Sequence, residues 1–271
     1  MNKPKIISLV GITASGKSAL GIKLAQEFNG EIVSCDSRQI YKGLDLGSGK
    51  VTAEELVTIC HHLIDICEPG KTYNVFDFQK AVYAAIDDIL ARGKVPFLVG
   101  GSGLYSRSVV EGYVFAKSAS NVEIASSQTP RNDASMSLRA NAKQSLNGNK
   151  PLYDVLQICL MPPREVIEPL VIKRIDERLA QGMIAETENL IKNGVDKNWL
   201  HSLGLEYFWN VELIDGRIDL NTYKQRLKDK IMQFIKRQRT WFRKERKGTV
   251  YLTEPEEFYK KSRELITHFL G

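Results

Sequence analysis

Gly11-Ile12-Thr13-Ala14-Ser15-Gly16-Lys17-Ser18 follows the apolar run of residues 6–10 and leads into residues 19–28, whose apolar spacing is helical. This is G-x-x-x-x-G-K-[ST] in the strand–turn–helix setting that a phosphate loop requires. The glycines let backbone N–H groups turn inward around phosphate oxygens. The following helix aims its unpaired N–H groups and positive dipole end at the same place. Lys17 adds a positive charge, and Ser18 a hydroxyl suited to a phosphate-bound Mg²⁺. The loop therefore predicts a phosphate compound held by residues Gly11, Ile12, Thr13, Ala14, Ser15, Gly16, Lys17 and Ser18. ATP is the usual occupant of such a nucleotide-binding loop, but the loop alone does not choose.

Working outward, residues 31–35 read as a second short strand that ends at Asp36-Ser37-Arg38-Gln39. In an open α/β sheet, ligands bind beyond the carboxyl ends of the strands, so Asp36 falls on the same rim as the phosphate loop. A helix N-cap or a turn is an equally local use for such an aspartate. Residues 40–72 are irregular, with a short helical patch at 53–58 and a further strand expected at 63–66. Residues 76–92 carry Phe78, Val82, Ala85, Ile86 and Ile89 at helical spacing, closed by Gly93. A strand at 95–99 then runs into Gly100-Gly101-Ser102-Gly103 and a helix at 104–110. Residues 152–161 suit a returning strand, residues 164–193 a helix, and residues 223–246 a second helix. This alternation predicts an α/β fold, a P-loop NTPase-like parallel sheet flanked by helices. The expected organisation is a core at 1–112, a short polar insertion at 113–150, and a return strand and helical part at 151–271 that complete the core.

The bulk properties exclude several classes. A length of 271 residues, 43% hydrophobic and 26% charged, suits a globular protein with a sizeable core. No apolar run approaches the roughly 20 residues that cross a bilayer. The opening MNKPK lacks the apolar stretch of a signal peptide, so a cytoplasmic protein is expected. Four scattered cysteines (Cys35, Cys60, Cys67 and Cys159) are too few for a disulfide scaffold and read as reduced thiols. Cys60-His61-His62 with Cys67 supplies zinc-type ligands without the spacings of structural zinc sites. The net charge of +6 is concentrated: residues 221–247 hold eleven Lys or Arg against Asp229 and Glu245, a net +9, leaving −3 for the rest. Such a run is either a solvated helix face or a surface for a polyanion, nucleic acid or diphosphate.

One absence narrows the chemistry. P-loop NTPases usually hold Mg²⁺ with an aspartate at the end of a strand like 95–99. Gly100-Gly101 stands there instead, with Asp36 and Asp65 the acids that could substitute. The pattern argues against an ordinary ATPase or kinase and for a loop that holds a pyrophosphate in another reaction.

Four segments in order, GITASGKS, CDSRQIYKGLDLGSGKVT, HHLIDICEPGKTYNVFDFQKA and VPFLVGGSGLY, closely resemble tRNA dimethylallyltransferases, also called tRNA isopentenyltransferases. KRQRTWFR at 236–243 resembles the late basic motif of that family, and RIDERLAQGMIAE at 174–186 resembles its helical segment more loosely. The likeness is strong over residues 5–112 and recognisable from about 164 to 247. It implies transfer of a dimethylallyl group from dimethylallyl diphosphate to the exocyclic amine of an adenine beside a tRNA anticodon, with Mg²⁺. Residues 11–18 would then hold the leaving diphosphate, with Ser18 on the metal and Thr13 beside the bridging oxygen. Asp36 matches the family's catalytic aspartate and would act as general base. Asp36, Ser37, Arg38 and Gln39 lie on the stretch that meets the extruded adenine. Ser102, where relatives carry threonine, is a further RNA-contact position. Arg107, Arg178 and Arg237 are weaker candidates for diphosphate or RNA contact. A monomer that uses no membrane is the default.

The resemblance departs in one region. Relatives carry a longer helical insertion after the GGTGLY-like segment, with an arginine-rich motif that only Leu138-Arg139-Ala140 echoes here. Gly204-Leu205-Glu206-Tyr207 is also a variant of the family's glycine–tyrosine segment. A shortened insertion also fits a relative that prenylates a free adenine nucleotide, whereas the +9 stretch exceeds what a mononucleotide needs. A non-catalytic RNA- or nucleotide-binding paralogue is a third reading, opposed by the retained Thr13, Lys17, Ser18 and Asp36. A small-molecule P-loop kinase is a distant fourth.

Overall fold

The computed structural model describes residues 3–115, 149–244 and 247–271. Most of the insertion, including Leu138-Arg139-Ala140, lies outside the described residues. Six strands form one parallel sheet in the order β3-β2-β4-β1-β5-β6. They are β1 (Lys5–Gly11), β2 (Gly30–Ser34), β3 (His61–His62), β4 (Val95–Gly100), β5 (Asp154–Leu160) and β6 (Val250–Leu252). Six of the seven residues of β1 are buried, as expected for a central parallel strand covered on both faces. Ile6, Ile7, Leu9 and Val10 supply its apolar side chains, with Ser8 buried between them.

Helices cover the two faces. On one lie α1 (Lys17–Glu27) and the C-terminal helix α10 (Phe258–Leu270), whose Ile22, Leu24, Phe258 and Ile266 pack with Ile7, Leu9 and Phe97. On the other lie α3 (Val75–Ala91) and α4 (Gly103–Val110), which bury Phe78, Val82, Ile86 and Val109 against Ile6, Val33 and Leu98. An Asn74–Asp77 capping box starts α3. The short α2 (Ala53–Thr58) begins with a second box, Thr52–Glu55.

The remaining helices gather above the carboxyl edge of the sheet. They are α5 (Arg164–Ala180), α6 (Met183–Lys192), α7 (Lys197–Leu203), α8 (Leu205–Ile214) and α9 (Leu220–Phe242). Ile167, Val171 and Ile175 of α5 and Leu227, Ile231 and Ile235 of α9 pack on Val10, Ile12, Cys159 and Met161. Those four residues lie at the carboxyl ends of β1 and β5 or just beyond, so the helical half of the chain roofs the phosphate loop.

Three sequence expectations need correction. The strand expected at 63–66 is His61–His62, because Leu63 and Asp65 take positive φ values of 62° and 55° that no strand tolerates. The helix expected across 164–193 is two helices, α5 and α6, broken at Gly182 with φ 97°. The basic helix runs Leu220–Phe242 rather than 223–246, and starts where the Asp219 side chain accepts the Thr222 N–H at 2.7 Å.

Candidate active site

The loop leaves β1 at Gly11, whose φ is 153° and where a Cβ would stand 2.4 Å from the Leu160 carbonyl oxygen. Only glycine allows β1 and β5 to approach so closely there. Ala14 and Gly16 follow with φ values of 63° and 81°, which curl the backbone into a concave row of N–H groups. Gly16 caps α1 without any side-chain hydrogen bond, and the first turn of α1 holds no acid. The N-terminal end of the helix dipole is thus uncompensated and favours an anion. The Ser15 hydroxyl is buried with no hydrogen-bond partner among the described residues, as a group awaiting a ligand would be. Ser18 sits in the first turn of α1.

Lys17 folds back so that Nζ donates to the Ile12 carbonyl at 3.1 Å. Burial pushes the lysine down to about 8, helped by Arg174 and opposed by the nearby Asp36 carboxylate and by Cys159. Burial thus outweighs the one carboxylate nearby, and an incoming diphosphate would add the negative charge that favours the ammonium.

Asp36 stands just past the end of β2, on the same rim. Its Oδ1 accepts the Arg38 N–H at 3.0 Å, closing a turn. The turn reading of this aspartate and its place beside Lys17 coexist. Ser102 joins this group from the far side: its Oγ accepts the Ser37 N–H at 3.1 Å and donates to the Ser37 Oγ at 3.4 Å. The two segments can touch because Gly100 has no side chain; a Cβ there would lie 2.0 Å from the Cys35 carbonyl oxygen. Gln39 donates to the Gly49 carbonyl at 3.0 Å and accepts from the Ser34 hydroxyl at 3.0 Å. Asp65, the other acid considered for the rim, is paired with Lys50 at 2.5 Å.

Several residues of this site were not singled out from the sequence. Arg174 Nη1 donates to Thr13 Oγ1 at 2.8 Å. Gln238 of α9 accepts the Thr13 N–H at 2.9 Å and donates to the Gly101 carbonyl at 3.0 Å. Glu206 of α8, 4% exposed, meets Arg38 at 3.1 Å, Arg178 at 3.4 Å and Arg174 at 3.8 Å. Burial alone would raise the Glu206 carboxyl, but the charges of Arg38, Arg178 and Arg174 outweigh it and hold it below the ordinary range. Arg174 is pushed down to about 10, by burial first and then by Arg178 and Arg38, with Glu206 opposing.

Two signals pointed to these residues. Arg174 and Arg178 stand four apart and share a face of α5. Gln238 interrupts the buried stripe Tyr223, Leu227, Ile231, Ile235 and Phe242 with a polar side chain.

The three weaker arginine candidates diverge. Arg178 belongs to the buried cluster and lies against Gly49, where a Cβ would come 2.0 Å from its Nη2. Arg107 is paired with Glu111 at 2.9 Å and lies over the Trp241 ring at 5.6 Å, tying α4 to α9. Arg237 is exposed on α9, 5.9 Å from the Phe234 ring. Part of the basic stretch is internally paired, Lys224 with Asp176 at 2.7 Å and Lys228 with Glu168 at 3.8 Å. Arg226, Lys236, Arg243 and Lys244 face solvent.

Away from the rim, near the amino end of β2, Glu31, Cys60 and His62 bring ligand atoms within 4.8 Å of one another. Glu31 is already held by Arg92, by Lys94 at 2.8 Å and by His62 at 2.7 Å, and those interactions keep its carboxyl well below the usual range. Two fixed cations on that carboxylate oppose a metal ion. His61 bonds instead to the Ile59 carbonyl, and Cys67 donates to the Glu68 carbonyl.

The sheet order, the loop and its roof define an α/β protein of the P-loop type, with a glycine-curled loop carrying Lys17 beneath a helical cover. The sequence profile of the IPP transferase family matches residues 39–145 and 134–245, and the chain belongs to that family. A tRNA dimethylallyltransferase 2 of Treponema denticola is 38% identical over 92% of this chain and 95% of its own. A tRNA dimethylallyltransferase of Streptococcus agalactiae is 34% identical over 100% of this chain and 99% of its own. The solved tRNA delta(2)-isopentenylpyrophosphate transferase of Staphylococcus epidermidis has a TM-score of 0.80 at 29% identity, covering 98% of this chain and 100% of that one. Among the described residues, no helix is long and apolar enough to cross a membrane.

Proposed function

We propose that the protein transfers a dimethylallyl group from dimethylallyl diphosphate to the exocyclic amine of an adenine beside the anticodon of a tRNA. The observation that carries this reading is the convergence of Lys17, Thr13 and Asp36 on one rim, under a roof built from α5 and α9. A cradle for a leaving diphosphate and a carboxylate for an attacking amine are what such a transfer needs.

The amine nitrogen attacks the allylic carbon, a C–N bond forms, and the C–O bond to diphosphate breaks. Negative charge grows on the diphosphate, where the amides of residues 11–18, Lys17 and the Thr13 hydroxyl meet it. The amine proton passes to Asp36, whose carboxylate is held in place by the Arg38 N–H. Ser37, Arg38, Gln39 and Ser102 line the approach of the adenine, which must leave its stack to reach the carbon. The oxygen donors at the loop fit Mg²⁺: the Ser18 hydroxyl and diphosphate oxygens would hold the ion, and the Ser15 hydroxyl, buried with no partner among the described residues, supports a phosphate ligand there. When bound, Mg²⁺ supplies charge neutralisation of the leaving group. The exposed cations of α9, Arg237 among them, would meet the RNA backbone. The reading includes a monomer acting in the cytoplasm and does not require ATP.

Labelled dimethylallyl diphosphate offered in parallel to unmodified tRNA and to AMP tests it. Label in the tRNA is expected; label in AMP alone, or in neither, overturns the proposal.

A further inference from the structure

We propose that Glu206 is a positioning residue for the leaving-group end of this reaction: it holds Arg174 so that Arg174 fixes the Thr13 hydroxyl with its proton aimed at the departing diphosphate. The inference rests on the prenyl-transfer reading above.

The direction of one hydrogen bond carries the first step. A guanidinium has no acceptor, so in the 2.8 Å contact Arg174 donates and Thr13 Oγ1 accepts. The Thr13 hydroxyl proton must then point away from Arg174. No acceptor for it stands among the described residues, and the Thr13 N–H is separately taken by Gln238 at 2.9 Å. The residue is held at its backbone and at its oxygen, and its proton is left for a ligand. A cation donating into the oxygen also makes that proton a stronger donor.

The second step is what holds Arg174. Three guanidiniums, those of Arg38, Arg174 and Arg178, share one buried region, and their mutual repulsion works against Arg174 staying beside the loop. Glu206 is the carboxylate that meets all three, with hydrogen bonds to Arg38 at 3.1 Å and Arg178 at 3.4 Å and a charge contact with Arg174 at 3.8 Å that offsets this repulsion. It is fixed on α8, at the residue after Leu205, whose φ is 47°.

The sign of the charge separates placement from plain anion attraction. A buried carboxylate weakens the positive field that an incoming diphosphate feels. A neutral residue at this position would leave a stronger field for binding. Glu206 therefore works against ground-state anion affinity while ordering the group that orients Thr13. The bridging oxygen gains its charge as the C–O bond breaks, so the benefit appears in the transition state.

The test is Glu206→Gln, which keeps the shape and removes the charge. Its melting temperature, its calorimetric affinity for inorganic pyrophosphate, and its kcat and KM for prenyl transfer to tRNA are compared with wild type. The expected result is kcat lower by about tenfold, a fraction of what loss of a direct transition-state donor costs. Pyrophosphate affinity is expected to be unchanged or tighter, with partial recovery of kcat in Glu206→Asp. An unchanged kcat overturns the inference, and so does a parallel loss of pyrophosphate affinity and kcat in a folded variant. If Glu206→Gln does not fold, Arg174→Lys reads the same link, since it keeps the charge and loses the planar fork. The same fall in kcat is expected there, and full activity overturns the inference. Absence of transfer by the wild-type protein would instead sink the prenyl-transfer reading itself.

Discussion

Gln238 accepts the backbone N–H of Thr13 at 2.9 Å while its amide nitrogen donates to the Gly101 carbonyl at 3.0 Å. A side chain on α9 thus ties the phosphate loop to the turn after β4 across 225 residues of sequence. Gly101 leaves room for it, since a Cβ there would stand 3.0 Å from Gln238 Nε2. Gln238→Leu fills similar volume but leaves Thr13 N–H and Gly101 C=O unpaired in a region where Gln238 is 6% exposed. The expected cost is about 1–3 kcal/mol of stability. Urea unfolding should show a lower midpoint with an unchanged slope, and pyrophosphate binding should weaken because the loop loses its brace. An unshifted midpoint would mean that Gln238 does not hold the loop.

Lys17 gives a pH dependence with a definite sign. Its folded-state value is about 8, below the ordinary 10.5, with burial as the largest cause. Between those values the unfolded chain keeps a proton that the folded chain has lost, so this group's contribution to stability rises with pH across the window. Below pH 8 the folded protein carries the full cost of a buried ammonium. A bound diphosphate reverses the balance by favouring the charged lysine. Pyrophosphate binding near pH 8–9 should therefore take up protons, and affinity should fall as pH rises past 8. Calorimetry in buffers of different ionisation heat measures the uptake. Lys17→Met, run in parallel, subtracts the ligand's own titration; equal uptake in both proteins would exclude Lys17.

Asp36 separates binding from chemistry. Asp36→Ala removes the carboxylate and its turn bond to the Arg38 N–H, while the residues of the loop keep their own contacts. Prenyl transfer should fall by at least about a hundredfold, the scale of a lost general base. Pyrophosphate affinity should change by only a few-fold, and upward in part, since a negative charge near Lys17 has gone. Undiminished single-turnover transfer would remove Asp36 as the base.

What the sequence made legible followed short-range rules. Residues 6–18 announced strand, loop and helix because each needs only local spacing and glycines. Asp36 could be placed on the rim by the strand-end rule alone. The misplaced strand at 63–66 shows the limit: Leu63-Ile64-Asp65-Ile66 has strand composition, yet positive φ at Leu63 and Asp65 turns it into the bend that carries Asp65 to Lys50. Glu206 was named only as part of the Gly204–Tyr207 segment, and its role stayed hidden for a different reason. An isolated glutamate on a helix reads as solvated surface, and only the packing of α8 against α5 brings three arginines to it. Gln238 was hidden in the same way among the eleven Lys and Arg residues of 221–247, although its position on the apolar stripe of α9 marked it as buried. Long-range polar pairs have no period to read.

The basic stretch makes the last prediction. Lys224 and Lys228 are engaged with Asp176 and Glu168 of α5, so their charges are already balanced within the protein. Lys236 is exposed and has no ion-pair partner among the described residues. If RNA lies along α9, each phosphate neutralised there releases counterions, and affinity falls with salt in proportion to the number of contacts. Lys236→Ala should weaken tRNA binding and reduce the slope of log affinity against log salt by about 1. Lys224→Ala should leave the slope nearly unchanged, because its charge is spent on Asp176. The measurement is a filter-binding or anisotropy titration of tRNA from low to moderate salt. A shallow wild-type slope, or equal effects of the two substitutions, would move the RNA away from this face of α9.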